Sequence, residues 1–149
     1  MYTKQTKECI MTDAQKIAEL LYPNITKTVE DYLKQYPPRN LNPNAEVTRL
    51  APSPTGYIHI GQLFQVVCNH TLSQRTNGVF YFRLEDTDSK REVAGAASAM
   101  PEVVQHFMPI DEGFLGFHKP EKGEYGPYVQ SKRKEIYQAF AKELIAKGL

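Results

Sequence analysis

The sequence has little cysteine, no tryptophan and no long apolar run. Its two cysteines, Cys9 and Cys68, lie far apart, so no Cys-x-x-Cys pair is available for a zinc site. Two lone thiols suit a reducing compartment, and Cys68 is expected to be buried as a small apolar residue. No stretch approaches the roughly 20 apolar residues of a membrane span, and the first ten residues lack the apolar core of a signal peptide. These absences predict a cytoplasmic protein without a membrane anchor.

Charge of neither sign dominates, because 18 Lys and Arg residues nearly balance 17 Asp and Glu residues and leave a net charge of +1. A chain-wide basic surface is therefore excluded, and nucleic-acid binding would need a local patch. Lys132, Arg133 and Lys134 form such a patch in the first turn of the last predicted helix, where each cation opposes the helix dipole by roughly 0.3–1 kcal/mol. The run is either a solvated surface or a contact for a phosphate-bearing partner.

The patterns that are present indicate a helical extension followed by an α/β segment. Residues 1–46 predict two short helices, capped at Thr12 or Asp13 and at Thr28, and then a linker with little apolar content. Residues 47–149 alternate between short apolar runs and amphipathic stretches. Such alternation predicts parallel strands joined by helices.

In the α/β segment, a strand over Val47–Ala51 is predicted to lead into a helix from about Ile60, closed by Asn77-Gly78. Val79–Leu84 is predicted as a second parallel strand, covered on both faces. A further helix covers Glu92–Phe107, a loop rich in Gly and Pro covers Asp111–Tyr128, and a last helix starts at Ser131. The buried faces are expected to be Phe64, Val67, Cys68, Thr71 and Leu72 in the first of these helices, and Ile136, Phe140, Leu144 and Ile145 in the last.

A polar loop joins the first strand to its helix, from Arg49 to Gly61. Ligands of open α/β sheets bind at the carboxyl ends of strands, and a helix N-terminus offers free N–H groups to an anion, worth roughly 0.3–1 kcal/mol. Gly56 and Gly61 allow close approach of a ligand, and Thr55 and His59 add side-chain donors. The Pro-Ser-Pro-Thr-Gly segment alone is an ordinary turn, and the His-Ile-Gly segment alone is an ordinary helix start. Together at one junction between a strand and a helix, they predict a site for a nucleoside triphosphate.

An acidic cluster, Glu85, Asp86 and Asp88, follows the second strand. Such acids must be solvated or meet a cation, and one interpretation is a turn and helix cap formed by Asp86 or Asp88. A magnesium site is another, although carboxylates at this spacing are weak evidence for it. If the two strands are neighbours, Glu85 lies beside Arg49. That pair suits a zwitterionic ligand, with its ammonium on Glu85 and its carboxylate on Arg49.

In this order and spacing the motifs resemble the glutamyl-tRNA synthetases. The resemblance covers about Val47 to Leu149, and the Ala-Pro-Ser-Pro-Thr-Gly form favours the glutamate enzymes over their glutaminyl relatives. It implies the front half of a Rossmann-type class I catalytic domain, which joins glutamate to ATP as an adenylate and transfers it to the 3′ end of tRNA(Glu). The segments that carry it are Arg49-Leu-Ala-Pro-Ser-Pro-Thr-Gly56, His59-Ile-Gly61, Arg83-Leu-Glu-Asp-Thr-Asp88 and Gly126-Pro-Tyr-Val-Gln-Ser-Lys-Arg133.

By position, the resemblance implies sites for glutamate and ATP. Mg²⁺ is expected to accompany ATP, and no metal site is expected in the chain itself. If Lys132, Arg133 and Lys134 contact a phosphate-bearing partner, the acceptor end of the tRNA is the expected one. The glutamate pocket would be lined by Arg49, Ala51, Ser53 and Glu85, while ATP would meet His59 and Gly61 as the catalytic pair, with Thr55 and Gly56 beside its phosphates.

The sequence departs from the class I pattern in two ways. Gln62 stands where the signature usually has its second histidine, and the Lys-rich signature loop is missing. The chain is therefore expected to be the front of a longer, monomeric enzyme and not to aminoacylate by itself. Two other interpretations stay open: a binding module that holds ATP or tRNA without catalysis, and a paralogue that attaches glutamate to a modified tRNA base.

Overall fold

The computed structural model describes residues 11–149; Cys9 and the rest of the first ten residues lie outside the described part. The described chain forms two compact units. The helical unit combines the chain up to Gln35 with Glu135–Leu149, and the sheet unit comprises Tyr36–Lys134. Among the described residues no helix is long and apolar enough to cross a membrane.

The sheet unit is built on three parallel strands in the order β1-β2-β3. β1 (Val47–Leu50) and β2 (Val79–Phe82) pair in register from Val47 opposite Val79 to Leu50 opposite Phe82, which confirms the predicted parallel pair. β3 (Glu112–Gly113) lies in a segment that the composition predicts as loop, so that prediction was wrong at this point. Gly113 has φ +140°, and a Cβ there would lie 2.3 Å from the carbonyl oxygen of Phe82. Glycine is thus required where β3 meets β2. Because glycine is counted as a loop residue, composition alone does not indicate this strand.

Phe80 and Phe82 of β2 are completely buried, whereas Val79 and Tyr81 on the other face are half-buried, so the strand is less fully covered than predicted. An isolated bridge from Leu84 to Val129 extends the pairing beyond β2. The core lies around these strands and α4 (Ala96–Phe107). It consists of Leu50, Val66, Phe80, Phe82, Leu84, Ala97, Met100, Val104, Ile110, Phe114, Tyr128 and Val129.

The helix that follows β1, α3 (Ile60–Arg75), turns a different face to the sheet than its apolar pattern predicts. Val66 and Ser73 are its buried residues, and the hydroxyl of Thr48 in β1 donates to its Asn69 carbonyl at 2.8 Å. This close approach suits a small, hydrogen-bonded side chain such as Ser73, which the search for large apolar residues overlooks. The predicted stripe is correspondingly open: Phe64, Val67, Cys68 and Leu72 are exposed, and Thr71 is half-buried.

The connection from β2 to β3 contains a short 3₁₀ turn, Ser89–Arg91, and then α4. The predicted helix from Glu92 starts four residues too early, because Gly95 in the left-handed conformation (φ 81°) is the N-cap of α4. Pro101 lies inside α4 and is buried. A second 3₁₀ turn, Gln130–Arg133, precedes α5 (Lys134–Ala146), which therefore begins three residues after the predicted Ser131.

The helical unit has the two predicted caps. In α1 (Asp13–Leu21), Thr12 and Gln15 exchange side-chain hydrogen bonds with each other's backbone N–H. In α2 (Val29–Gln35), Thr28 and Asp31 do the same. The N–H and the hydroxyl of Thr28 both donate to the Asp31 carboxylate, and these two bonds lower the pKa of Asp31. The predicted buried face of α5 was wrong, since Ala139 is its buried residue. Phe140 and Leu144 are exposed, and Ile136 and Ile145 are half-buried.

A partly buried ion pair holds the segment before β1 to the rest of the sheet unit. Arg39 donates through both terminal nitrogens to the Glu112 carboxylate, and its guanidinium lies 3.9 Å from the centre of the Tyr125 ring. The Tyr128 hydroxyl donates to the same carboxylate at 2.6 Å. Burial by itself would raise the pKa of Glu112, but the hydrogen bonds from Arg39 and Tyr128 outweigh it and leave that pKa lowered. Burial, and then the bond to Glu112, raises the pKa of Tyr128.

Candidate active site

The carboxyl ends of β1 and β2 continue side by side and form the floor of the candidate site. The N–H of Arg83 donates to the Leu50 carbonyl, and that of Glu85 donates to the Pro52 carbonyl, each at 3.0 Å. Ladder bonds therefore extend past the last strand residues. Because side chains of an extended chain alternate between its two sides, Arg83 and Glu85 project to the same side.

Arg49 and Glu85, which the sequence predicts to be neighbours, lie together in the structure. Nη1 of Arg49 is 4.0 Å from Oε1 of Glu85, at the outer limit of an ion pair. Arg83 approaches the same oxygen more closely, with its Nη2 donating at 2.7 Å. One carboxylate thus faces two guanidinium groups, and the site carries separate positive and negative charges a short distance apart.

The loop after β1 is held by its prolines and presents the residues between them. Pro52 and Pro54 are buried, and the carbonyl of Pro54 accepts from the N–H of Val93 at 2.8 Å. Between the prolines, Ser53 is exposed. Beside them Ala51, Thr55 and Gly56 are half-buried. A Cβ built on Gly56 would meet nothing within 4 Å, so the space next to this glycine is open.

The start of α3 is capped by its own side chains. His59 is the N-cap, and its Nδ1 accepts from the Gly61 N–H at 3.2 Å, while Gln62 Oε1 accepts from the His59 N–H at 3.2 Å. The sequence predicts free amides here, but the Gly61 amide is already occupied by the imidazole. An accepting Nδ1 places the proton of a neutral imidazole on Nε2. His59 is exposed, so Nε2 can donate to a ligand.

Gln62 is a residue whose structural use the sequence reasoning missed. It stands in place of the second histidine of the class I signature and completes a capping box with His59. The signal was available, because Gln three residues after an N-cap is the expected partner in such a box.

The acidic residues after β2 have separate partners. Asp86 accepts from both the N–H and the hydroxyl of Ser131, at 2.8 and 2.6 Å, and so holds the start of the second 3₁₀ turn. Asp88 pairs with Arg91 through the Nε of that arginine at 2.6 Å. In the described part of the chain, no group of three His, Cys, Asp or Glu side chains is arranged to hold a metal ion. The predicted cap leading into the next helix was wrong: Asp88 precedes the first 3₁₀ turn without a side-chain cap bond, and Asp86 bonds instead to Ser131 in the second 3₁₀ turn.

The three consecutive cations do not share one environment. Lys132 and Lys134 are exposed, whereas the half-buried Arg133 donates to the carbonyls of Tyr125 and Pro127, at 3.2 and 2.9 Å. Arg133 thus holds the loop before it in place. The sequence, in which Arg133 stands between Lys132 and Lys134, predicts one common role for the three cations.

Comparison with known proteins identifies the class. Residues 46–149 match the family described as tRNA synthetases class I (E and Q), catalytic domain. The chain belongs to this family, and its three-stranded parallel sheet is part of a Rossmann-type fold.

Within the class, the relatives are glutamate enzymes. The chain is 48% identical over 136 residues to the glutamate–tRNA ligase of Clostridium beijerinckii, covering 91% of this chain and 24% of that protein. It is 49% identical over 138 residues to the ligase of Acetivibrio thermocellus, covering 91% and 25%. The crystal structure of glutamate-tRNA synthetase from Elizabethkingia anophelis superposes with a TM-score of 0.59 at 32% identity, over 68% of this chain and 20% of that one. The chain thus spans about a quarter of the length of the ligases it matches.

Proposed function

We propose that the protein carrying this chain is a glutamate–tRNA ligase, which activates glutamate with ATP and transfers it to the 3′ end of tRNA(Glu). The observation that carries the proposal is the placement of Arg49 and Glu85 at the joined ends of β1 and β2, with Nη1 and Oε1 4.0 Å apart. An amino acid substrate has an ammonium and a carboxylate with the opposite arrangement of charge. Glu85 receives the ammonium and Arg49 a carboxylate, and Ala51 and Ser53 line the same strand continuation.

Activation requires the substrate carboxylate to attack the α-phosphate of ATP while pyrophosphate leaves. Such a step depends mainly on alignment and on stabilising the charge that develops on the phosphate. His59 supplies a donor through Nε2, and the open space beside Gly56 admits the phosphates next to Thr55. Mg²⁺ bound to ATP would neutralise part of the phosphate charge.

For the tRNA, we propose Lys132 and Lys134 as contacts to the acceptor end. Both are exposed, and they closely follow Val129, which pairs with Leu84 just after β2. Arg133 is excluded from direct contact in this proposal, since its guanidinium is bonded to loop carbonyls. The cytoplasmic location and monomeric state stay predictions of the sequence.

The experiment is glutamate-dependent ATP–pyrophosphate exchange by the full-length protein, with tRNA(Glu) present. We expect exchange in the wild type and its loss in Glu85→Ala, because removing the carboxylate leaves the ammonium without its counter-charge. Glu102→Gln, which changes an exposed carboxylate paired with Lys119, is the matched control and should exchange normally. Near-normal exchange by Glu85→Ala would refute the role of Glu85. A wild type that binds ATP and tRNA but shows no exchange would instead indicate a binding module.

A further inference from the structure

Arg83 is a largely buried arginine at the site to which the proposed chemistry assigns no role. It follows β2 directly, and its N–H is fixed by the Leu50 carbonyl at 3.0 Å. Its side chain is 15% exposed, and Nη2 donates to Glu85 Oε1 at 2.7 Å. Backbone and side chain are therefore both held, and the guanidinium reaches Glu85 from inside the domain rather than from solvent.

The second guanidinium, that of Arg49, behaves differently. Its side chain is 42% exposed, and at 4.0 Å from the same Oε1 it makes no hydrogen bond to the carboxylate. Among the described residues, none donates a hydrogen bond to Oε2 of Glu85. The carboxylate thus has one oxygen anchored by the enclosed arginine and one open, while the exposed arginine keeps its donors available.

The position of Arg83 is not explained by a full set of its own hydrogen bonds. Its Nε is buried and has no partner in the described part of the chain. A buried donor left unpaired is costly, so the side chain is placed by the pair with Glu85 and not by complete satisfaction of the guanidinium.

We propose that Arg83 is a positioning residue, the internal counter-ion of Glu85 that keeps Arg49 free for the substrate carboxylate. This rests on the proposed function. Without Arg83, Arg49 is the cation that remains within 4.0 Å of Glu85 among the described residues, and a closer pair between them would cancel the two charges that the amino acid needs. The consequence is specific: glutamate binding weakens, whereas ATP, which meets the start of α3, is unaffected.

The test is steady-state ATP–pyrophosphate exchange by the full-length protein with tRNA(Glu) present, measuring KM for glutamate and for ATP separately. In Arg83→Gln we expect KM for glutamate to rise about ten- to a hundredfold, the loss typical of a hydrogen bond to a charged group, and KM for ATP to stay within about twofold. Arg83→Lys keeps the charge but not the planar fork, so it should recover part of the loss.

Arg39→Gln is the matched control, because it breaks an arginine–carboxylate pair whose arginine is similarly enclosed, at 18% exposure, and which has no role in the proposed chemistry. It should lower the unfolding midpoint and leave KM for glutamate unchanged.

The inference is overturned if the folded Arg83→Gln protein keeps its glutamate KM, or if both KM values rise together as general damage would cause. Should Arg83→Gln fail to fold, the same split between the KM values must be found in Arg83→Lys, and its absence there is equally decisive. A wild type without glutamate-dependent exchange would refute the proposed function itself.

Discussion

The pair between Arg39 and Glu112 is predicted to be a principal stabilising contact of the sheet unit. The change that tests it is Glu112→Gln, which keeps the side-chain shape and removes the charge. The two side chains are 18% and 17% exposed, and two hydrogen bonds join them. Solvent screens such a pair far less than an exposed one, because most of its surface is out of contact with water.

The magnitude follows from that burial. Exposed ion pairs contribute about 0–1 kcal/mol, whereas removing one partner of a buried pair costs about 3–5 kcal/mol. With roughly a sixth of each side chain exposed, we expect a loss of about 2–4 kcal/mol at pH 7. For a urea dependence of about 2 kcal/mol per molar, a typical value for a small protein, the unfolding midpoint falls by about 1–2 M.

The pH dependence gives a second, independent check. Because the pKa of Glu112 is lowered below its ordinary value of 4.5 in the folded state, its contribution is fully present above pH 4.5. That contribution is lost as the pH falls through the folded pKa, where the carboxylate is protonated. The difference between wild type and Glu112→Gln should therefore be constant from pH 7 to about 5 and shrink below pH 4.5.

The assay is urea unfolding of the chain, followed by circular dichroism at several pH values. Glu102→Gln is the control, because its partner Lys119 is 3.4 Å away and both side chains are more than half exposed. It should change stability by less than about 1 kcal/mol. The reasoning is refuted if Glu112→Gln costs no more than this control, or if its cost is as large at pH 3 as at pH 7.

Two further predictions concern the backbone and the tRNA surface. A Cβ on Gly78 would lie 1.9 Å from the Glu46 carbonyl oxygen. Gly78→Ala should therefore displace the start of β2 and lower the free energy of unfolding, measured with urea, by about 2 kcal/mol or more. Gly56→Ala is the control and should leave that free energy unchanged, because the space around Gly56 is open. Replacing Lys132 and Lys134 by Gln in the full-length protein should weaken tRNA binding and reduce the slope of log affinity against log salt by about 0.7–0.9 per lost contact; a filter-binding titration with an unchanged slope would contradict the proposed contacts.

The neighbourhood of Arg49 and Glu85 could be predicted from the sequence because it depends on local patterns. Two short apolar runs joined by one helix predict a parallel pair, and the carboxyl ends of parallel strands meet at one edge of a sheet. The structure confirms the pairing and places Nη1 and Oε1 4.0 Å apart. The caps at Thr12 and Thr28 were predictable for the same reason, since each depends on residues within one helical turn.

The face of α3 could not be predicted in this way. Periodicity finds the largest apolar side chains, and it assumes that these meet the sheet. Here the approach to β1 is close enough for Thr48 to bond the Asn69 carbonyl, and Ser73 is buried with its hydroxyl bonded to the carbonyl of His70. A small polar residue satisfied by its own helix is indistinguishable, in sequence, from one that faces water.

Contacts between distant segments were equally beyond local reasoning. Arg39 and Glu112 are separated by 73 positions, and neither belongs to a periodic pattern that would pair them. Arg39 falls in a stretch that composition describes as a linker, yet it is one of the more enclosed charges of the sheet unit. Loop-like composition therefore does not indicate the absence of structure.

The candidate site depends both on local sequence patterns and on contacts between distant segments. Alternation along an extended chain is enough to put Arg83 and Glu85 on one side, and pairing of the strands is enough to bring Arg49 near them. Neither pattern tells which arginine bonds the carboxylate: in the structure the enclosed Arg83 lies 2.7 Å from it and the exposed Arg49 lies 4.0 Å from it. That difference leaves one cation unbonded to the carboxylate, and it gives the two separate charges that the proposed amino-acid site requires.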